Sequence, residues 1–235
     1  MSISVAPQRA IHPDRLFFTS MALVCALTVF AGFAPTYYLG RSGLPPLSPL
    51  IHVHAVVFTI WIVVLVTQTS LVSARRTDLH RRIGVAAVVL AAVMVVLGFA
   101  AAVDSLRRGL SQPGIDPRVL FAIPISSIVT FAALVAAAIL YRGDRATHKR
   151  LMLLATVSLL SAAIGRIVLL IGHLPVMTLF VFTDLFVLAA VLYDLVSRRR
   201  IHPANLWGGA LIIFKPLFVL LAMTPGWLAI ADALR

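Results

Sequence analysis

The sequence contains little charge and very little acid. Only 12% of its 235 residues are charged while 61% are hydrophobic, glutamate is absent, and all eight acidic residues are aspartate. A soluble domain carries about twice that charged share, so the composition excludes an ordinary soluble protein and favours a membrane protein. The formal net charge is +12. The basic residues lie at the ends of apolar runs rather than on one soluble face, which argues against nucleic acid as a partner.

Cysteine is also nearly absent. Cys25 is the single cysteine of the chain and lies inside the first apolar run. One thiol forms neither an intrachain disulfide nor a thiolate cluster, so these two kinds of stabilisation are excluded. No zinc signature, glycine-rich phosphate loop or nucleophile elbow is present either, and no metal-ion site is predicted.

Long apolar runs are abundant, and seven of them are long enough to cross a bilayer core of about 30 Å. Because lipid offers no hydrogen-bond partners to the backbone, such runs are expected to be helices. We therefore predict an all-helical bundle of seven transmembrane helices, forming a single integral membrane domain over residues 1–235, with a short interfacial helix in Thr224–Arg235. The predicted spans are Phe17–Tyr38, Leu50–Val72, Ile83–Val103, Val119–Tyr141, Leu151–Ile171, Val176–Val196 and Asn205–Met223.

The basic residues alternate between the gaps that separate these spans. Thirteen lie in the N-terminal segment and in every second gap, five lie on the other side, and two, Arg166 and Lys215, lie inside spans. The positive-inside rule then predicts a cytoplasmic N-terminus and an external C-terminus. A misassigned seventh span would instead place the C-terminus inside.

Two of the basic gaps resemble each other. Thr77–Ile83 reads TDLHRRI and Ala146–Leu151 reads ATHKRL. Each segment opens a helix that runs outward, so helices two and three and helices four and five are candidate copies of one hairpin. The alternative is that a histidine followed by two cations is simply a good membrane stop.

Two polar residues are expected at similar depth in the outer half of the bundle. His54 lies near the outer end of the second span, and Arg166 lies in the outer third of the fifth. His52 points about 200° away from His54 around the helix, so the two histidines are not expected to share a metal ion. The alternatives are a histidine that bonds to a neighbouring helix and an arginine that snorkels to lipid phosphates.

Two further polar residues are expected near the membrane midplane. Asp184 is predicted to form a buried ion pair with Lys215, or alternatively with Arg166, and such a pair could equally serve only to dock helices. Pro216 should kink the seventh helix beside Lys215. Together with Arg166, this set has one positive charge in excess, which favours an anionic or electron-rich guest such as a carboxylate, a haem propionate, a quinone oxygen or a lipid phosphate. Asp194 is expected to be an ordinary charged helix end without chemistry.

Histidines at the two faces of the bundle suggest a redox cofactor. His80 and His148 stand at the cytoplasmic mouths of the third and fifth helices, each followed by two cations, as a bis-histidine haem with its propionates requires. His54 and His173 could form a second pair near the outer face. The alternative for His80 and His148 is that they are solvated juxtamembrane residues, because both lie at helix ends.

Three segments carry a resemblance to known proteins. Leu47–His54 (LSPLIHVH), His148–Leu153 (HKRLML) and the stretch from Thr183-Asp184-Leu185-Phe186 through Tyr193-Asp194 resemble a family of uncharacterised bacterial polytopic membrane proteins, with similarity over most of the chain. The resemblance implies a multi-pass protein of the bacterial inner membrane and implies no reaction. A looser likeness, carried by histidine placement alone, is to transmembrane di-haem b-type cytochromes.

Three functional hypotheses follow. The first is a small-ligand or redox-cofactor site in the outer half of the bundle, with haem b as cofactor, His54 as ligand or proton carrier and Arg166 as anion clamp. The second is a proton-coupled transporter that uses Asp184 and Lys215. The third is a non-catalytic subunit or assembly factor whose partners, besides membrane lipids, are other membrane subunits. Whether the protein is an enzyme is not determined by the sequence.

Overall fold

A computed structural model describes residues 13–40, 46–110, 114–172, 174–175 and 177–235. These residues form eleven α-helices, and a π-helical turn, Ala34–Tyr38, extends the first of them. The helices are α1 (Pro13–Phe33), α2 (Pro49–Ser73), α3 (Thr77–Arg107), α4 (Pro117–Leu120), α5 (Ala122–Leu140), α6 (Arg145–Leu159), α7 (Ser161–Ile171), α8 (Thr178–Arg198), α9 (Pro203–Ile213), α10 (Lys215–Leu221) and α11 (Pro225–Leu234).

The helices are long and apolar enough for a membrane protein. Within the described residues, six continuous runs qualify as candidate spans, and α6 with α7, bent by 42°, makes a seventh if the pair is counted as one. The predictions of an all-helical architecture and of an integral membrane protein are therefore confirmed for the described part of the chain. The predicted tail helix is present as α11.

Local sequence explains where most helices begin and break. Proline fills the first turn of α2, α4, α9 and α11, where its missing N–H has no helical partner to lose. His202 caps α9, because its Nδ1 accepts a hydrogen bond from the backbone N–H of Ala204 at 3.2 Å. Burial lowers the pKa of this histidine. The predicted kink before Pro216 is present as the break between α9 and α10 at Phe214.

The long helices run alternately between two ends of the bundle. At one end, which we call the basic end, the start of α1 meets the end of α2 and the start of α6. Arg15 donates to the carbonyl of Ser73 at 3.2 Å, and Lys149 Nζ lies 2.5 Å from Asp14 Oδ2. At the opposite end, Ser48 before α2 donates to Asp104 of α3 at 3.3 Å. Antiparallel neighbours are what short connections between long helices require.

The core is centred on α6. Leu151, Leu154 and Val157 are fully buried there, and α6 packs against α1, α5, α8 and α9. Large aliphatic side chains on α3, α8 and elsewhere are exposed, including Val85, Val96 and Val196. Apolar side chains that point outward are what a lipid environment accepts, so the exterior agrees with the assignment as a membrane protein.

A sealed ion pair joins three helices at the basic end. Arg150 of α6 pairs with Asp194 of α8, and their side chains are 1% and 0% exposed. Asp194 also accepts hydrogen bonds from the backbone N–H of His202 at 3.0 Å and from Asn205 Nδ2 at 2.8 Å. The expectation that Asp194 is an ordinary helix end is wrong, and Arg150 is not a solvated loop cation, because each charge is buried against the other.

Loss of one member of this pair should be severely destabilising. Arg150→Met leaves a buried carboxylate without its counter-ion, and we expect it to lower the free energy of unfolding by about 3–5 kcal/mol. The adjacent Lys149→Met removes a partly exposed pair and should cost about 1 kcal/mol or less. Helix loss on denaturant titration in detergent, followed by circular dichroism, measures both. Equal losses in the two variants would contradict the assignment.

A second set of contacts, which we call the latch, holds α11 at the opposite end. Arg118 NH2 lies 2.7 Å from Asp116 Oδ2, and Arg118 NH1 lies 2.9 Å from Asp232 of α11. Trp227 Nε1 donates to the carbonyl of Arg118 at 2.8 Å. The hydrogen bond from the Arg118 guanidinium, more than any other contact, lowers the pKa of Asp116 to about 2.

The contact between Asp116 and Arg118, one part of the latch, should therefore persist in acid. A carboxyl with a lowered pKa contributes stability above its unfolded value, about 3.9, and that contribution disappears as the pH falls through the folded value. We expect the Asp116 carboxyl carbon, assigned by its absence in Asp116→Asn, to titrate near pH 2 in a ¹³C-aspartate NMR series. A midpoint near 4 would show that the carboxyl does not hold Arg118.

Candidate functional site

The structure brings two of the candidate histidines together. His80 is the fourth residue of α3, and His148 is the fourth residue of α6. Their ring centres lie 6.5 Å apart with the ring planes nearly perpendicular at 89°. Two imidazoles from separate helices thus meet near the basic end of the bundle. We call them the histidine pair.

The orientation of His148 is fixed by a backbone carbonyl. Its Nδ1 lies 2.8 Å from the carbonyl oxygen of Ala138, near the end of α5. Because a carbonyl can only accept, the hydrogen must be on Nδ1, and Nε2 then carries the free lone pair. A carbonyl that holds one ring nitrogen while the other is available is the usual arrangement behind a metal-ligating histidine.

His80 has an equivalent place in the other hairpin. Gln68, near the end of α2, donates from its side chain to the carbonyl of His80 at 3.2 Å, and the His80 ring interacts with the Gln68 backbone. Each histidine of the pair therefore lies against the end of the preceding helix, which agrees with the hairpin repeat read from the sequence. His80 Nδ1 and Gln68 Oε1 are both buried without a hydrogen-bond partner. Unpaired buried polar atoms are costly, and a bound water or a ligand would satisfy them.

His54 and Arg166 lie near enough for their charges to interact. The His54 ring stacks on Phe58 at 4.0 Å, and its Nδ1 is buried without a partner. The Arg166 guanidinium lies 4.2 Å from the centre of the Phe33 ring and donates to the carbonyl of Ala162 at 2.8 Å. Their joint role as a ligand site stays a prediction.

The predictions that concern His52 and His173 have different outcomes. The expectation that His52 and His54 point apart is confirmed, because His52 Nδ1 lies 3.2 Å from the hydroxyl of Tyr37 while His54 stacks on Phe58. His173 lies outside the described residues, so its pairing with His54 also stays a prediction.

A close helix contact places Arg166 over its aromatic neighbour. A Cβ added to Gly32 of α1 would lie 2.4 Å from the carbonyl oxygen of Ala163 in α7. Glycine is therefore needed at this position for the two backbones to touch. The contact sets Phe33 of α1 beside the guanidinium three residues further along α7.

Lys215 occupies the contact between two broken helices. Its side chain is buried, with the residue only 2% exposed. Nζ donates to the carbonyl of Ser158 at 2.8 Å and to the hydroxyl of Ser161 at 3.3 Å, on either side of the break between α6 and α7. Asp184 of α8 is half-buried and interacts with Lys215 through space, beyond ion-pair distance. The two side chains are not in direct contact, so the predicted ion pair between Asp184 and Lys215 stays a prediction.

Buried hydroxyl groups lie on α5, α6, α7 and α8, and the one on Ser161 contacts Lys215; this group was missed from the sequence. Ser127 of α5 lies 3.0 Å from Ser161, oxygen to oxygen, and Thr156, Ser158 and Thr183 are also buried. Hydroxyls in membrane helices bond to their own backbone, as Thr183 does to Leu179 at 2.7 Å, and so look unremarkable in a sequence. The clue that was available is their concentration at mid-span, level with Lys215.

Comparison with known proteins adds no assignment. The chain matches no protein-family model, no curated protein and no solved structure. Among the described residues there is also no group of three or more histidine, cysteine or acidic side chains that could hold a metal ion. Any function must therefore be argued from the contacts above.

The hydrogen bond to Ala138 predicts the tautomer of His148. In ¹⁵N-histidine-labelled protein near neutral pH, the resonances that disappear in His148→Ala should show a proton on Nδ1 and a bare Nε2. The physical reason is that a carbonyl holds the donor nitrogen in place. A proton found on Nε2 with a bare Nδ1 would contradict the geometry of the histidine pair.

Proposed function

We propose that this protein is a membrane redox protein that binds haem b between His80 and His148. The single observation that carries the proposal is the meeting of these two rings at 6.5 Å, from equivalent turns of two helices. Two imidazoles on opposite sides of one metal, each bonded at about 2.0 Å, place their ring centres about 6 Å apart. The separation thus suits two imidazoles that would together hold one haem iron.

The number of ligands favours haem over a bare metal ion. A protein site for a bare transition metal ordinarily supplies three or four side chains, whereas haem brings four nitrogens of its own and needs only axial ligands. The described residues offer a pair of histidines but no larger ligand group. A bond from His80 to a metal would also remove one of the unpaired buried nitrogens.

The residues around the pair have clear roles in this proposal. From the ends of the preceding helices, Ala138 holds the His148 ring and the Gln68 side chain holds the His80 backbone. Arg81, which interacts electrostatically with His80, supplies positive charge for a propionate. When bound, haem would supply reversible one-electron uptake, and the protein would supply its orientation and its apolar surroundings.

The membrane setting of the proposal is a seven-span protein with its basic end in the cytoplasm. The alternation of basic residues along the chain supports this orientation. The haem would then lie near the cytoplasmic face. The bacterial inner membrane is proposed from the resemblance alone.

His54 and Arg166 are proposed as a second ligand site in the outer half. The observation that favours it is a buried, unpartnered imidazole nitrogen within electrostatic range of a guanidinium. These groups suit an electron-rich oxygen, such as a carboxylate or a quinone carbonyl.

The haem proposal is tested by absorption spectroscopy. Protein expressed with added haem precursor and purified in mild detergent should show a Soret band and, on dithionite reduction, the sharp α-band of a six-coordinate b-type haem. His80→Ala and His148→Ala should each lose the six-coordinate spectrum, because each removes one axial ligand.

His52→Ala is the matched control, since His52 is exposed and lies on α2 away from the pair. It should retain the full spectrum. Wild-type protein without a Soret band, or with a spectrum that survives both ligand substitutions, would refute the proposal.

A further inference from the structure

Two helix breaks face each other inside the bundle, and one amine joins them. The first lies at Leu160 between α6 and α7, where the axis bends by 42°. The second lies at Phe214 between α9 and α10. Lys215, the first residue of α10, donates to Ser158 and Ser161 on the two sides of the first break. Discontinuous helices that meet around polar groups in mid-membrane are typical of sites where ions bind and move.

The Arg150–Asp194 pair is an example of a buried charge with a structural role, and the surroundings of Lys215 differ from it. Arg150 and Asp194 are in direct contact, and both side chains are sealed from the surface. Among the described residues, Lys215 makes its hydrogen bonds to neutral oxygens only, while Asp184 is half-buried and lies beyond ion-pair distance. A direct, fully satisfied pair is rigid, whereas a separated pair leaves the carboxylate free to change partner.

The choice of lysine rather than arginine at position 215 also distinguishes this site from the Arg150–Asp194 pair. Arginine cannot release its proton in a protein, but lysine can. Arginine stands in the sealed pair, and lysine stands at the helix breaks. A residue that only had to supply a fixed positive charge at Ser158 and Ser161 would not need a removable proton.

We propose that Lys215 and Asp184 form a proton-exchange site at the centre of the membrane domain. In the step, the Asp184 side chain first moves into hydrogen-bond contact with Lys215; a proton then passes from Lys215 Nζ to a carboxylate oxygen of Asp184, so an ammonium and a carboxylate become an amine and a carboxylic acid. No net charge is created, and the two separated charges disappear together, which a low-dielectric interior favours. Reversal restores the charged pair.

The groups that face Lys215 are few. The serines at positions 127, 158 and 161 contribute neutral oxygens from α5, α6 and α7. Asp184 of α8 is the charged side chain that interacts with the ammonium among the described residues. The exchange is therefore expected to depend on this one carboxylate. The breaks at Leu160 and Phe214 are the points at which α7 and α10 could move to expose the site to either side.

The proposal does not depend on haem, and its test requires none. Purified protein is reconstituted into liposomes that contain the pH indicator pyranine, and a potassium gradient with valinomycin imposes a membrane potential. Wild-type protein should move protons faster than protein-free vesicles do. Asp184→Asn should reduce that rate to the protein-free level, because an amide does not accept the proton. Wild-type flux no faster than empty vesicles would overturn the proposal.

The matched control is Asp78→Asn, the same substitution at a carboxylate that is 66% exposed and pairs with Arg76 at the basic end. It should leave the flux unchanged. A loss of flux equal to that of Asp184→Asn would overturn the assignment to Asp184, as would full flux in Asp184→Asn itself. Circular dichroism and size-exclusion chromatography verify that each variant is folded.

Lys215→Arg separates a proton-exchange role from a purely electrostatic one. It keeps the positive charge and the hydrogen-bond donors at Ser158 and Ser161 but cannot release a proton. We expect folded protein without proton flux. Wild-type flux in this variant would overturn the proposal, and if the larger guanidinium prevents folding, the comparison of the two aspartate variants decides alone.

Discussion

The ion pair between Arg150 and Asp194 is the contact on which the rest of the structure depends. Neither charge can be left alone in an apolar interior, so α6, the end of α8 and the start of α9 are held in one relative position. Arg150 lies two residues after His148 and two turns before Ser158, on the helix at the centre of the core. The Arg150–Asp194 pair therefore helps to fix the position of His148 at the basic end and of Ser158, which accepts a hydrogen bond from Lys215.

The protein buries positive charge in two physically different ways. Arg150 is matched by a carboxylate that receives hydrogen bonds from three groups, and the result is a rigid junction. Lys215 is matched by the carbonyl and hydroxyl oxygens of a broken helix, with its carboxylate at a distance. The first arrangement is stable because the buried carboxylate of Asp194 has a counter-ion and several hydrogen-bond donors. In the second arrangement, Asp184 lies beyond ion-pair distance and is only half-buried, so the ammonium is held by the backbone and hydroxyl oxygens rather than by the carboxylate.

Sequence reasoning found the features that depend on period and composition. The apolar runs predicted the helices, Pro216 predicted a kink, and the repeated histidine-cation segments predicted that His80 and His148 would occupy matching positions. It missed Arg150, because an arginine at a span end contributes to the charge count whether it faces water or a buried aspartate. It also missed the break at Leu160, where no proline or glycine marks the site. That break becomes intelligible only once Lys215, from a distant part of the sequence, is seen to satisfy the carbonyl of Ser158.

Both members of the histidine pair lie at helix starts, and this position bears on whether they could bind haem. Histidines at helix ends are commonly solvated, which weakens a sequence argument for ligation. Here the His80 Nδ1 is buried, and each histidine contacts the end of the preceding helix, His148 through its ring and His80 through its backbone carbonyl. The first turns of α3 and α6 also present the positive ends of two helix dipoles at the same level. A helix start attracts anionic groups, and the Asp144 carboxylate already caps α6 by accepting from the backbone N–H of Ala146 at 2.9 Å; positive charge for the propionates of a haem would therefore come mainly from Arg81. The helix-end positions of His80 and His148 first argued that the two histidines are solvated. These positions are nevertheless compatible with haem, which combines a metal with two carboxylates.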